Sequence, residues 1–306
     1  MRLNKFQYFF GFLVLASMLI LPFASAGIVE FLQKTITGRA TSQFTNVSLN
    51  VVGANPAQII YVSPISAVNP TELGYTNVSF EVRVYDPDGA SDINISSVYA
   101  NFSKSGETTR LSQMCAKDSD LNDYTSNFSC LIQMWYWDGS GVWNVNVQAS
   151  DIGNKSIVYN TTTNFTYNLL KAMVISPNAL TWPSLYTGST DEKSNNDPTI
   201  INNTGNYNGT INLIAIDLLG ETTPSSMIPA NNFTTSNNDG TVCSSGTVLV
   251  NGTSTPISGT VANRGNLSAG GGAGQENLYY CIPLVPNVPS QTYSTQLGGS
   301  WTVLYP

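Results

Sequence analysis

The chain has 306 residues, 42% of them hydrophobic and only 10% charged; that is room for about two ordinary domains with packed cores, and it excludes wholesale disorder. The formal net charge is −7, and the 12 Lys and Arg residues are scattered singly, so the clustered basic footprint of a nucleic-acid binder is missing. No histidine occurs, which removes Ser-His-Asp and Cys-His nucleophile chemistry and His-ligated zinc.

Arg2 and Lys5 open the chain, Phe6 to Val29 carry no charge, and Phe9 to Leu21 are nearly all apolar. Pro22 then breaks the run, and Ala24-Ser25-Ala26 presents small residues before Gly27. This is the layout of a signal peptide over residues 1–26, cut after Ala26. The uncharged run is also long enough for a retained signal anchor, and both readings export the remainder. Cleavage would leave a net charge of −9 (−7 minus the 2 charges of Arg2 and Lys5). No second apolar run of that length follows, so no carboxy-terminal anchor is expected. Residues 27–44 contain Ile28, Val29, Phe31 and Leu32 and suit either a spacer or a strand donated to a neighbour.

From Thr45 onward the pattern has period two. Val47, Leu49 and Val51 alternate with polar neighbours in Asn46–Val52, as do Val78, Phe80, Val82 and Val84 in Thr76–Val84. Trp143, Val145 and Val147 do the same in Val142–Ala149. Such alternation predicts strands with one buried face. Turn-forming clusters separate the runs, among them Asp86-Pro87-Asp88-Gly89 and Asp138-Gly139-Ser140-Gly141. Thr210–Leu218, Asn277–Leu284 and Ser300–Leu304 read as further strands, and Gly265–Gly274 as a mobile Gly-rich loop. No stretch beyond the signal keeps a helical period for three turns. The pattern predicts an all-β protein of two β-sandwich domains, 45–168 and 169–306, divided by the Thr-rich run Asn160–Thr166 and by Ser176-Pro177.

Four cysteines, Cys115, Cys130, Cys243 and Cys281, allow three pairings. Export favours disulfides, and joining Cys115 to Cys130 and Cys243 to Cys281 keeps each within one domain. The spacing lacks paired C-x-x-C units, which argues against zinc. N-x-S/T acceptor sites are dense: Asn46, Asn77, Asn94, Asn101, Asn127, Asn154, Asn160, Asn164, Asn202, Asn208, Asn232, Asn251 and Asn266. Composition alone supplies some of them, and export makes them candidates for glycosylation.

The run Leu131–Trp137 is apolar on both faces, as in a central strand covered on both sides or an interdomain contact. A second reading is a stacking platform for sugars, with Trp135 and Trp137 on one face. Asp86, Asp88 and Asp92 crowd one turn, and Asp118, Asp120 and Asp123 another. Oxygen clusters of this kind suit calcium, the one candidate cofactor, with the first group favoured. Neither matches an EF-hand, and solvated turn aspartates are the plainer account. No G-x-S-x-G elbow, phosphate-binding loop or metalloprotease motif occurs, so an enzyme is not expected.

Several segments resemble immunoglobulin-like modules of exported microbial surface proteins, particularly archaeal ones. In the first half they are Tyr85-Asp86-Pro87-Asp88-Gly89, Asp92-Ile93, and Trp137 to Trp143 leading to Asp151-Ile152-Gly153-Asn154. The second half has Asn203-Thr204-Gly205-Asn206, Asp217-Leu218 and Asn277 to Pro283. The resemblance implies an immunoglobulin-like β-sandwich in a cell-envelope or extracellular setting, and it carries over no catalytic residue. The expected function is a surface structural or adhesive protein. A carbohydrate-binding module and a filament subunit assembled by strand donation are the alternatives. Expected partners are other envelope proteins, glycans or further copies of the chain, without nucleic acid.

Overall fold

The computed structural model describes residues 47–49, 55–112, 114–152 and 157–305, and the architecture below is that of the unit Val52–Pro306. The expected signal (1–26) and spacer (27–44) lie outside the described residues, as do Asn46 and Asn154. Strand makes up 45% and helix 6%, so the fold is all-β, with several antiparallel sheets as in a β-sandwich. In the segment Asn46–Val52, the described residues 47–49 are not strand, and Val47 and Leu49 are 84% and 83% exposed. Alternation makes a strand only where another strand accepts its hydrogen bonds.

The first core lies between two four-stranded antiparallel sheets. The strands are β1 (Gln58–Val62), β2 (Tyr75–Tyr85), β3 (Tyr99–Ser103), β4 (Arg110–Leu111), β5 (Ala116–Asn122), β6 (Thr125–Trp135), β7 (Gly141–Ser150) and β8 (Ile157–Tyr167). One sheet has the order β1-β2-β6-β5 and the other β4-β3-β7-β8. β2 and β6 pair along their whole length, from Tyr75 opposite Trp135 to Tyr85 opposite Thr125. This register turns Val78, Phe80, Val82 and Val84 inward beside Phe128, Cys130, Ile132 and Met134. Phe102, Trp143, Val145, Phe165 and Tyr167 meet them from the other sheet. Each fully buried large side chain stabilises by about 1.5–3 kcal/mol.

The strand β6 corrects one expectation. It is not covered on both sides: Ile132 and Met134 are buried, whereas Leu131 is 51% exposed and Gln133 faces solvent. The Thr-rich run Asn160–Thr166 is not a divider either, because it lies within β8 and pairs with β7. Threonine is a good strand residue, and its polarity marks only the outward face.

The second core is assembled from shorter pieces. They are β9 (Met173–Ser176), β10 (Thr190–Lys193), β11 (Thr199–Asn203), β12 (Asn212–Ile214), β13 (Leu218–Gly220), β14 (Met227–Ile228), β15 (Thr234–Ser236), β16 (Thr247–Val248), β17 (Thr255–Pro256), β18 (Gln275–Leu284), β19 (Tyr293–Ser294) and β20 (Thr302–Leu304). The long β18 organises them, pairing with β10, β11 and β15. Ile201, Leu213, Phe233, Leu249, Leu278 and Tyr280 are the buried centre, with Trp182 and Trp301 packed against it. The single strand expected over Thr210–Leu218 is two, β12 and β13. Asp217 causes the break: its backbone N–H donates to Asn251 Oδ1 (3.3 Å), and its carboxylate accepts from Ala230 N (2.8 Å) and Asn251 Nδ2 (3.0 Å).

Cys115 is bonded to Cys130 in the first core. Cys243, in the short helix α1 (Val242–Ser245), is bonded to Cys281 of β18. The connection between β8 and β9 is gripped by Asn206, whose side chain accepts from Leu170 N (2.7 Å) and donates to Asn168 O (2.9 Å). A side chain at Gly205 would meet the Leu170 carbonyl at 2.2 Å, so this close approach requires glycine.

Candidate functional site

Three groups of residues come forward, and the first is the aspartate turn that follows β2. Gly89 N–H donates to Asp86 O (3.1 Å), closing a turn whose Gly89 has φ 123°, a conformation that favours glycine. The turn is seated on the β5–β6 hairpin through Asp86 N to Tyr124 O (2.8 Å) and Ala90 N to Asp123 O (2.8 Å). A 3-10 turn over Ala90–Asp92 then swings Asp92 back, and Asp92 O accepts from Ile152 N (2.7 Å). The bridge Ile93–Asp151 brings the end of β7 alongside.

Oxygens of Asp86, Asp88 and Asp92 therefore lie within 4.8 Å of one another. Asp86 is 0% and Asp92 7% exposed, and Oδ2 of each has no hydrogen-bond partner. Asp88 is exposed and accepts from Asn55 through its backbone N–H (2.8 Å) and Nδ2 (3.0 Å). Burial pushes the Asp86 carboxyl above the ordinary value, opposed by the Asp88 backbone N–H and reinforced by the charges of Asp92, Asp88 and Asp151. Asp151 is a sequence-legible acid whose place beside this turn only the β7 pairing reveals.

The second acidic group does not converge. Asp118 accepts from Asn127 Nδ2 (3.1 Å) and Ser129 Oγ (2.8 Å), cross-strand partners on β6. Asp120 is held below the usual carboxylate range by Lys117 (2.7 Å), with Ser126 Oγ (2.6 Å) adding to it. Asp123 contributes its backbone carbonyl to the first group instead.

The second site is aromatic. Trp135 and Trp137 do share one side, and their rings stack on each other at 4.8 Å and 19°. Arg110 lies over Trp137 at 6.0 Å. Tyr136 turns inward, and its hydroxyl accepts from Leu267 N (3.2 Å), so the Gly-rich loop expected to be mobile is tied down there. Buried Asp138 holds the turn by accepting from Trp135 N (2.7 Å) and from Arg110 through two nitrogens, Nε at 2.9 Å. Burial raises the Asp138 carboxyl despite Arg110.

Beside these rings is an open polar cleft of about 390 Å³, lined by Glu107, Arg110, Trp137, Asp138, Asn208 and Arg264. Arg264 spans the two cores: it donates to Glu107 Oε1 (2.5 Å) and Oε2 (2.9 Å) and to Trp137 O (2.7 Å). Glu107, Arg110 and Arg264 carried no sequence signal, being isolated charges among polar neighbours. A second groove, of about 590 Å³, runs over Leu111, Met114, Leu131 and Trp135.

The third group is the acceptor asparagines. Of the thirteen, eleven are described (13 minus Asn46 and Asn154), and none of these is buried. Asn77, Asn164, Asn208 and Asn251 are exposed, and Asn94, Asn101, Asn127, Asn160, Asn202, Asn232 and Asn266 half-buried. Several also serve the fold: Asn94 and Asn266 cap 3-10 turns, and Asn101 accepts from Asn146 (2.8 Å). No protein-family model matches this chain, and no curated protein matches it. Among the described residues, no helix is long and apolar enough to cross a membrane.

Proposed function

We propose that this is an exported structural or adhesive protein of the cell surface, built of immunoglobulin-like β-sandwiches, rather than a catalyst. The observation that carries the reading is the pair of disulfides, one on each core, with no free cysteine among the described residues. Disulfides of this kind belong to an oxidising compartment. Support comes from the low charge, the acceptor asparagines lying off the buried interior, and the Glu107–Arg264 ion pair that joins the two cores. Its partners are neighbouring envelope proteins, glycans or further copies of the chain. Fractionation of native cells with thiol mass-tagging tests the proposal. Envelope or medium protein with both disulfides is the expected result, and a reduced cytoplasmic pool overturns it.

Carbohydrate binding is a second reading, favoured by the half-exposed Trp135–Trp137 stack beside a polar cleft. Glycan-array binding that disappears in both Trp135→Ala and Trp137→Ala while folding is retained would establish it. Assembly by strand donation is tested by deleting residues 27–44: an unchanged size distribution in solution and on cells refutes it.

A further inference from the structure

We propose that Asp86, Asp88 and Asp92 bind a calcium ion that fastens the turn after β2 to the end of β7. The three carboxylates approach within 4.8 Å of one another, and Asp151 adds a fourth negative charge beside them. Acidic turns on a surface normally relieve such crowding by pointing into water. Here two of the three cannot, because Asp86 and Asp92 are more than nine-tenths buried. Each nevertheless keeps one oxygen, Oδ2, without a hydrogen bond. A buried carboxylate oxygen without a protein donor is expensive, and like charges at this spacing make it more so. A divalent cation placed among them satisfies the orphaned oxygens and offsets the repulsion in one step.

The donor chemistry selects the ion. Among the described residues the group is made of carboxylates alone, without histidine or thiolate, which disfavours zinc and copper. Exposed Asp88 leaves one side open, so waters and backbone carbonyls can complete a large, irregular shell. Calcium accepts six to eight oxygens in flexible geometry, whereas magnesium demands a tight octahedron and dehydrates reluctantly. The dissociation constant belongs in the range of extracellular modules, about 10⁻⁴–10⁻³ M.

The consequence is local order at one end of the first sandwich. The turn carries Asn55 through both oxygens of Asp88, and it rests on the β5–β6 hairpin through Tyr124 and Asp123. Calcium therefore fixes the point where the chain enters the first core.

The test uses the purified full chain and terbium as a luminescent calcium probe, since Tyr85 adjoins Asp86 and can sensitise it. Saturable emission displaced by calcium but not by equimolar magnesium is expected. Calcium at a hundredfold over its dissociation constant should raise Tm by about 5 °C. Asp86→Asn and Asp92→Asn should each weaken calcium at least ~10-fold, while Asp118→Asn leaves it unchanged. In chelator the order of stability reverses: both variants should equal or exceed the wild type, because they lose a buried like charge. Exposed Asp88→Asn keeps the test open if a buried variant fails to fold. Absence of saturable binding in the wild type, or affinity unchanged in the folded variants, would overturn the proposal.

Discussion

The two cores solve the same burial problem with different materials. The first uses strands of ten and eleven residues, β2, β6, β7 and β8, in long ladders, that of β2 with β6 unbroken and that of β7 with β8 interrupted by one register shift between Val145 and Val147. The second has one strand of that length, β18, and otherwise pieces of two to five residues joined by loops. Its interior is completed by ring contacts such as Trp301 on Phe233 (5.1 Å) and by side chain-to-backbone bonds such as Trp301 Nε1 to Ile216 O (2.8 Å). Long ladders satisfy the backbone automatically, so side chains are free to form a dry centre. Short strands leave backbone groups that Asn, Thr and Asp must satisfy, which is why Asn203, Thr234 and Thr260 are buried there.

The sharpest probe of this contrast is truncation of one large ring in each core. Trp143→Ala removes a fully buried indole from the ladder core and should cost about 3–5 kcal/mol in urea unfolding. Trp301→Ala, half-buried in the second core, should cost about 1–3 kcal/mol. Equal losses would mean that the loops of the second core pack as tightly as the ladders of the first.

The disulfides come next. Replacing Cys243 and Cys281 with Ala opens a link across 38 residues, and replacing Cys115 and Cys130 one across 15. Loop entropy gives losses of about 4 and about 3 kcal/mol respectively. A larger loss from the shorter link, measured by chemical denaturation, would contradict the view that the second core depends more on its staple.

The clamp between cores is a smaller effect. Glu107→Ala leaves Arg264 partly buried without its carboxylate and should cost about 1–3 kcal/mol. Calorimetry should show the single transition broadening or splitting as the cores uncouple. A sharp, unsplit transition would show that the remaining contacts, such as Leu267 N to the Tyr136 hydroxyl, suffice to join them.

The smallest expected change is a pH dependence in the second core. Burial raises the Asp197 carboxyl above its ordinary value, while the Tyr280 backbone N–H (3.0 Å) opposes this, Ser194 and Lys193 lower it, and Asp239 raises it. Folding thus favours the protonated form. The stabilisation is fully present below the unfolded carboxyl value of 3.8 and is lost as pH rises through the folded value. Asp197→Asn should flatten that slope in the denaturation midpoint. A slope unchanged in the variant would assign it to other carboxyls.

Local chemistry made much of this protein legible in one dimension. The all-β class followed from alternation in Thr76–Val84 and Val142–Ala149, because a half-buried strand must present a side chain to each face in turn; the same alternation in Asn46–Val52 gave no strand over the described residues 47–49. Leu131–Trp137 was only half legible: Leu131 and Gln133 face solvent, because an apolar side chain on a strand says nothing about whether a second layer covers it, while Tyr136 and Trp137 meet Leu267 and Arg264 of the second core. Also hidden was the break at Asp217, which depends on Asn251, a residue 34 positions away. The aspartate turn was visible as a turn, but not that Asp86 and Asp92 would be buried, nor that Asp151 would join them. Burial and long-range pairing arise only when β2 and β7 are brought to one end of the same sandwich. Composition and period determined what the strands are made of and which face is apolar. The packing of one sheet on another decided which carboxylates are buried, because burial depends on what distant segments bring alongside.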